Sequence, residues 1–214
     1  MKLLITDDHK LFIEGIKHLL HDEFNIIDVE VALNGKEAID KCNREKFDVV
    51  LMDINMPVID GIHATREIKT LHPEIKIIMV SMLADYSSVI KSLKAGADAY
   101  ILKSEGTEEL ANALRSIFKG EIFLSPTLAD IFTKDATGKI TTREDVLRFS
   151  ENLITTREQE ILKLICEGFT NEQISKTLNI ALRTVDTHRT NMLTKLQLPN
   201  TAALVKFAME NRLI

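Results

Sequence analysis

An α/β domain built on a parallel five-stranded sheet, followed by a small all-helical domain, is the fold class that the sequence predicts, on three observations. Over residues 2–118, short apolar runs rich in β-branched residues alternate with stretches of helical period. Between 121 and 151 the alternation fades in a segment carrying Pro126 and Gly138. From Asn152 onward only helical period remains, opened by capping signals.

Taken in order, Lys2 to Thr6 (KLLIT) reads as a strand that stops at Asp7 and Asp8, and Leu11, Ile16, Leu19 and Leu20 follow at helical spacing. The pattern recurs with strands at 26–32, 48–52, 76–80 and 99–102, and with helices near 35–44, 61–71, 85–95 and 107–118. Asn34, three residues before Glu37, is a helix-start signal of the capping-box kind. Pro57 followed by Asp60-Gly61 delays the third helix and leaves the loop after Asp53 open. Five strands alternating with five helices predict a doubly wound parallel sheet, flavodoxin-like in the order 2-1-3-4-5.

The chain has 214 residues, 45% hydrophobic and 28% charged, enough to bury two cores and too apolar for disorder. The opening MKLLITDD is too short an apolar run for a signal peptide, and no stretch is long enough to span a bilayer, so no membrane and a cytoplasmic location are expected. Cys42 and Cys166 have no partner at metal-ligand or CxxC spacing and read as buried thiols of a reducing compartment. Net charge is -5, but Asn152 onward holds 8 Lys+Arg against 6 Asp+Glu while the residues before it hold 19 against 26. An acidic half and a mildly basic half point to different tasks.

In the expected strand order, Asp7, Asp8, Asp53, Ser81 and Lys103 all fall at the carboxyl edge of the sheet, where open α/β sheets bind ligands. Three crowded carboxylates repel one another unless a divalent cation such as Mg²⁺ is bound, although an acid pair after a strand also serves as a helix cap. With Lys103 as a fixed positive charge and Ser81 as a hydroxyl donor, the set suits transfer of a phosphoryl group to Asp53.

The segment 121–151 reads as a linker holding a loop, a short helix near 128–132 and a flexible stretch through 137–142. Thr155 with Glu158, and Thr170 with Gln173, form capping boxes for two short helices, the first ended by Gly168. A longer helix at 182–197 and a last one opened by Pro199-Asn200 complete a helix-turn-helix pattern in the domain 152–214. On the longer helix, Val185, Met192 and Leu196 line one face and Arg183, Asp186, Thr187, Thr190 and Thr194 another, with Arg189 and Lys195 flanking. Such a polar stripe fits a DNA major groove, and it equally fits a solvated helix face. Asp186 is open to two readings: a carboxylate that reads cytosine, or one that orients Arg183 or Arg189.

DDH near the start, DINMPVIDG in the middle and AYILKS before the fifth helix make residues 1–120 resemble the receiver domain of bacterial two-component response regulators. The resemblance implies Asp53 as phosphoacceptor, Asp8 and Asp53 as direct Mg²⁺ ligands, Asp7 acting through water, and the backbone carbonyl of Asn55 as a third protein ligand. Ser81 and Tyr100 match the family's switch pair, and Lys103 its phosphoryl-binding lysine. LITTREQEILKLICEGFTNEQISKTLNIALRTVDTHRTNMLTKLQL resembles the LuxR-type helix-turn-helix, and the whole chain the NarL/FixJ class. That likeness adds Thr184 and Asn191 to the DNA-facing set, and it implies a histidine kinase as phosphodonor, double-stranded promoter DNA as ligand and a homodimer on phosphorylation. It implies no enzyme beyond self-phosphorylation and autodephosphorylation, and a coupling in which Ser81 moves inward and Tyr100 follows into the vacated space. Asp186 and Asn200 depart from the pattern, each removing a positive charge. Two rivals remain open: a regulator of the same fold that binds DNA without phosphorylation, and a phosphatase of the haloacid dehalogenase kind. The second needs an acid at position 55, which is Asn55.

Overall fold

The computed structural model describes residues 1–24, 28–133, 142, 154–196 and 198–210. The chain divides into two compact units, the first holding a parallel sheet and the second the helices from Thr156 onward.

In the first unit, β1 (Lys2–Thr6), β2 (Asp28–Ala32), β3 (Val49–Met52), β4 (Lys76–Ser81) and β5 (Ala99–Leu102) alternate with α1 (Lys10–Phe24), α2 (Gly35–Arg44), α3 (Gly61–Leu71), α4 (Tyr86–Ala95) and α5 (Thr107–Phe118). The strands pair in the expected order 2-1-3-4-5, all parallel. Helices on both faces explain the unbroken burial of β3 and β5. Leu3, Ile5, Val49, Leu51, Ile78, Val80 and Ile101 share one core cluster with Ile13 and Leu20 of α1 and Leu114 and Ile117 of α5. Residues of the opposite parity, Leu4, Val50, Met52, Ile77 and Met79, are equally buried, and Thr65 of α3 donates its hydroxyl to Met79 Sδ there. Asn34 caps α2 by accepting the Glu37 N–H at 2.9 Å, and the Glu37 carboxylate returns to the Leu33 N–H at 2.8 Å.

The sheet departs from expectation in having six strands. Phe123–Leu124 forms β6, parallel to β5 with Ala99 opposite Phe123 and Tyr100 opposite Leu124. Two residues at an edge are too few to display a period, so this stretch reads as loop from sequence. Pro126 then opens α6 (Pro126–Thr133), covering the short helix expected near 128–132, so ordered elements occupy the start of the expected linker. Of the flexible stretch at 137–142 only Thr142 is described, and the remainder to 153 lies outside the described residues, as do positions 26 and 27 of the second strand and 197 of the long helix. Leu11 is 92% exposed: the inward stripe of α1 runs through Ile13, Ile16 and Leu20, and Leu11 lies off it.

The second unit consists of α7 (Thr156–Cys166), α8 (Asn171–Leu178), α9 (Leu182–Lys195) and α10 (Thr201–Glu210). Both expected capping boxes form. Asn179 in the left-handed region (φ 50) ends α8 and starts the turn into α9, and Arg157 donates to the Leu178 carbonyl at 3.0 Å. Ile161, Leu162, Ile174, Val185, Met192, Leu196 and Leu204 are among the buried residues of this small domain. No helix among the described residues is long and apolar enough to cross a membrane.

Glu158, in the first turn of α7, is buried and holds Lys195 Nζ at 3.1 Å as well as the Thr155 N–H at 2.9 Å. Burial raises its pKa, but the Thr155 N–H and Lys195 lower it more, so the carboxyl ends below its ordinary 4.5. A depressed folded-state pKa means stability that is complete above about pH 4.5 and lost as pH falls through the folded value. Glu158→Gln keeps the cap and removes the charge, and should cost about 2 kcal/mol at neutral pH while flattening the acid limb of the stability curve. Chemical denaturation of the full chain at stepped pH measures both effects, and an unchanged acid limb would refute the assignment.

Candidate functional site

The carboxyl edge of the sheet gathers the acids because the backbone ladder continues one residue past each strand. The Asp53 N–H donates to the Thr6 carbonyl at 2.9 Å and the Asp7 N–H to the Ala32 carbonyl at 3.1 Å, which sets Asp7 and Asp53 side by side. The Lys103 N–H donates to the Ser81 carbonyl at 2.8 Å and fixes the tips of β4 and β5 in the same way. After Asp53 the chain folds tightly back: the Ile54 N–H caps Asp53 Oδ1 at 2.8 Å, and the Met56 and Gly61 N–H groups both donate to the Ile54 carbonyl. Asn55 is exposed in this loop, and Val58 adopts φ 69, a conformation that costs a β-branched residue strain. Asp60 ends the loop by accepting the His63 N–H at 2.8 Å and so starts α3.

Lys103 is the hub of the charge arrangement. Its Nζ lies 2.5 Å from Asp7 Oδ2 and 3.0 Å from Asp53 Oδ2, with the Phe12 ring centroid 4.7 Å away, and its side chain is 8% exposed. The Asp7 contact is an ion contact without hydrogen-bond alignment. Asp7 and Asp53 are themselves buried, whereas Asp8 opens to solvent. Burial raises the pKa of Asp53, Lys103 works against that, and Asp7 adds to it; the net shift is upward. Ligand atoms of Asp7, Asp8, His9 and Asp53 lie within 4.8 Å of one another, a group that could hold a metal ion. The donors are mostly carboxylate oxygens facing one lysine, which fits a hard divalent cation. His9 is a member of this cluster that the sequence reading left without a role.

Ser81 is buried, and its Oγ accepts the Leu83 N–H at 3.1 Å. The Tyr100 hydroxyl donates to the Leu83 carbonyl at 2.7 Å and the ring is fully buried. Tyr100 thus already stands in the inward position expected of the phosphorylated protein, and Leu83 is the residue that both switch residues hold, Ser81 by its N–H and Tyr100 by its carbonyl.

On α9 the expected division into faces holds. Val185 and Met192 are buried, and Arg183, Asp186, Thr187, Thr190, Asn191 and Thr194 are exposed, with Thr184 half-buried. Two cations of the DNA-facing set are engaged within the domain. Lys195 pairs with Glu158, and Arg189 donates to Asn171 Oδ1 of α8 and to Thr201 Oγ1 of α10. Asp186 accepts from the Asn171 amide, so it reaches Arg189 through Asn171 instead of pairing with it or with Arg183 directly. Thr187 donates its hydroxyl back to the Arg183 carbonyl at 2.8 Å.

The description "response regulator receiver domain" belongs to a family model that matches residues 3–115, and "bacterial regulatory proteins, luxR family" to one that matches residues 152–208. The response regulator protein VraR of Staphylococcus epidermidis is 34% identical over 214 residues, covering 100% of this chain and 99% of the relative. VraR of Staphylococcus aureus has the same identity and coverage. Among solved structures, RcsB from Salmonella enterica serovar Typhimurium, bound to promoter rprA in the presence of the phosphomimetic BeF3-, is 25% identical over 97% of each chain, with a TM-score of 0.62. A structure of two RcsB dimers bound to two parallel DNAs shares the fold, with a TM-score of 0.67 at 24% identity over 98% of each chain.

Proposed function

The chain belongs to the response regulators that join a receiver domain to a LuxR-type DNA-binding domain, and on that premise we propose that it is a transcription regulator switched by phosphorylation of Asp53. The observation that carries this reading is Lys103 held between Asp7 and Asp53, beside the exposed Asp8. A histidine kinase is the donor: the Asp53 carboxylate attacks the phosphorus of the phosphohistidine, the P–N bond breaks and an acyl phosphate forms. Asp8, Asp53 and the Asn55 carbonyl would hold Mg²⁺, with Asp7 reaching it through water. When bound, that ion supplies positive charge to the transferring oxygens. Lys103 turns from the carboxylates to one phosphoryl oxygen and the Ser81 hydroxyl to another. The protein is a phosphoacceptor with self-phosphorylation and autodephosphorylation, and it works in the cytoplasm.

Coupling runs through Leu83. A phosphoryl oxygen that recruits the Ser81 hydroxyl draws Ser81 Oγ from the Leu83 N–H, and the Leu83 carbonyl, still held by Tyr100, reorients the start of α4. This is a population shift that favours a homodimer on promoter DNA. Sedimentation of the full chain with Mg²⁺ and beryllofluoride tests it: the parent should shift toward dimer and Ser81→Ala should lose most of that shift. A parent that binds DNA equally with and without beryllofluoride would instead favour a regulator independent of phosphorylation.

At the DNA, Asp186 acts as the orienting member of the Asn171–Arg189 network and not as a base reader. Asp186→Ala removes one negative charge near the phosphates. Binding to every sequence should therefore tighten by about threefold at low salt, and the salt slope should steepen by about 1. Site selection from a random library at matched salt checks this, and a base preference relaxed at one position would overturn it.

A further inference from the structure

His9 stands inside the acid cluster with its ring aimed at two of the carboxylates. Its Nδ1 lies 3.0 Å from Asp7 Oδ1 and 3.0 Å from Asp8 Oδ1, and its backbone N–H also donates to Asp7 Oδ1 at 2.8 Å. Ligands at right angles around an ion with bonds of roughly 2.1 Å stand about 3.0 Å apart, so the ring nitrogen and the two oxygens already have the spacing of neighbouring ligands in an octahedron. Asp53 contributes a further oxygen within the same 4.8 Å group. On the buried side, Asp7 is 1% exposed and its Oδ2 faces Lys103 Nζ at 2.5 Å without an aligned hydrogen bond, while on the open side the His9 side chain is 66% exposed, so the cluster is reached from solvent at His9.

The donor set of this group is three carboxylates and one imidazole, and Asp7, which would reach Mg²⁺ through water, stands at direct-ligand spacing from His9 Nδ1. Mg²⁺ takes oxygen and gains little from the nitrogen, whereas first-row transition ions bind imidazole well and follow a steep affinity order. We propose that His9 is a nitrogen ligand through which this pocket binds a divalent transition ion of the Co²⁺ or Zn²⁺ kind more tightly than Mg²⁺. The inference rests on the reading of the acid cluster as a cation site and adds the residue that selects among cations. The ring binds as the tautomer with its proton on Nε2, which leaves the Nδ1 lone pair for the metal. A transition ion held in this way competes with Mg²⁺ for the same carboxylates.

Calorimetric titration of the full chain with Mg²⁺ and with Co²⁺, together with the visible absorption of bound Co²⁺, tests the proposal on the parent, His9→Ala and His9→Gln. The parent should bind Co²⁺ at least about tenfold tighter than Mg²⁺. Both variants should lose about tenfold or more for Co²⁺, less than about threefold for Mg²⁺, and show an altered Co²⁺ spectrum. Metal-free melting curves establish that the variants are folded. Equal losses for the two ions, or no loss of Co²⁺ affinity, would overturn the role of His9 while leaving the Mg²⁺ site in place. A parent that binds neither ion would overturn the cation site itself.

Discussion

Asp53→Asn is expected to reduce labelling by acetyl phosphate to background and, at the same time, to raise the melting temperature of the metal-free protein. The two effects share one cause. Asp53 is 4% exposed and sits beside Asp7, and burial together with that neighbour pushes its pKa up. A raised folded-state pKa means that folding favours the protonated form, so the group's contribution falls as pH rises through the folded value and is unfavourable at neutral pH. The amide retains its oxygen for the Ile54 N–H and gives up the Oδ2 contact to Lys103, which keeps Asp7, while the buried charge is removed; the net should be a gain on the order of 1 kcal/mol, or about 3 °C. Mg²⁺ should stabilise the parent in proportion to RT ln(1+[L]/Kd) and the variant much less. Stoichiometric labelling of Asp53→Asn would remove the residue from its role, and a lowered metal-free melting point would show that the Lys103 contact outweighs the crowding.

Much of this pocket was legible because the acids stand directly at the end of strand-forming runs, Asp7 and Asp8 after KLLIT and Asp53 after VVLM, and a parallel sheet turns that one-dimensional fact into a shared edge. Helices α2, α3, α5 and α8 were legible to the residue because capping side chains, glycines and prolines bracket them. What escaped depends on contacts that no local window contains. β6 has two residues and exists only through β5. Leu11 fits a helical spacing with Ile16 yet points outward, because the phase of the stripe is set by where α1 meets the sheet. Asp186 finds its partner 15 residues away on α8, and Lys195 finds Glu158 37 residues away on α7. Those pairings decide which charges of α9 remain for DNA, so the polar stripe was readable and its available cations were not.

Gly61→Ala should be the most damaging single methyl in the receiver domain. Gly61 is the first residue of α3, and its N–H bond to the Ile54 carbonyl pulls the helix start against the strand end that carries Asp53. A Cβ at this position would stand 1.9 Å from the Asp53 carbonyl oxygen, 2.8 Å from its carbon and 3.0 Å from Met52 Cγ. The first two atoms are backbone of the residue that follows β3, whose N–H is bonded to the Thr6 carbonyl, and they cannot swing aside as a side-chain tip would. Either α3 retreats and gives up the Gly61 to Ile54 bond, or the end of β3 moves and takes the phosphoacceptor with it. Overpacking of this kind costs about 3 kcal/mol, which for a domain of this size lowers the melting point by roughly 10 °C. Labelling from acetyl phosphate should fall as well, by about tenfold or more, since a misplacement near 1 Å at a reacting group is enough for that loss. Gly106, whose added Cβ would meet nothing within 4 Å, supplies the control: Gly106→Ala should melt and label like the parent. If Gly61→Ala does the same, the close approach of α3 to Asp53 is not what holds the pocket together.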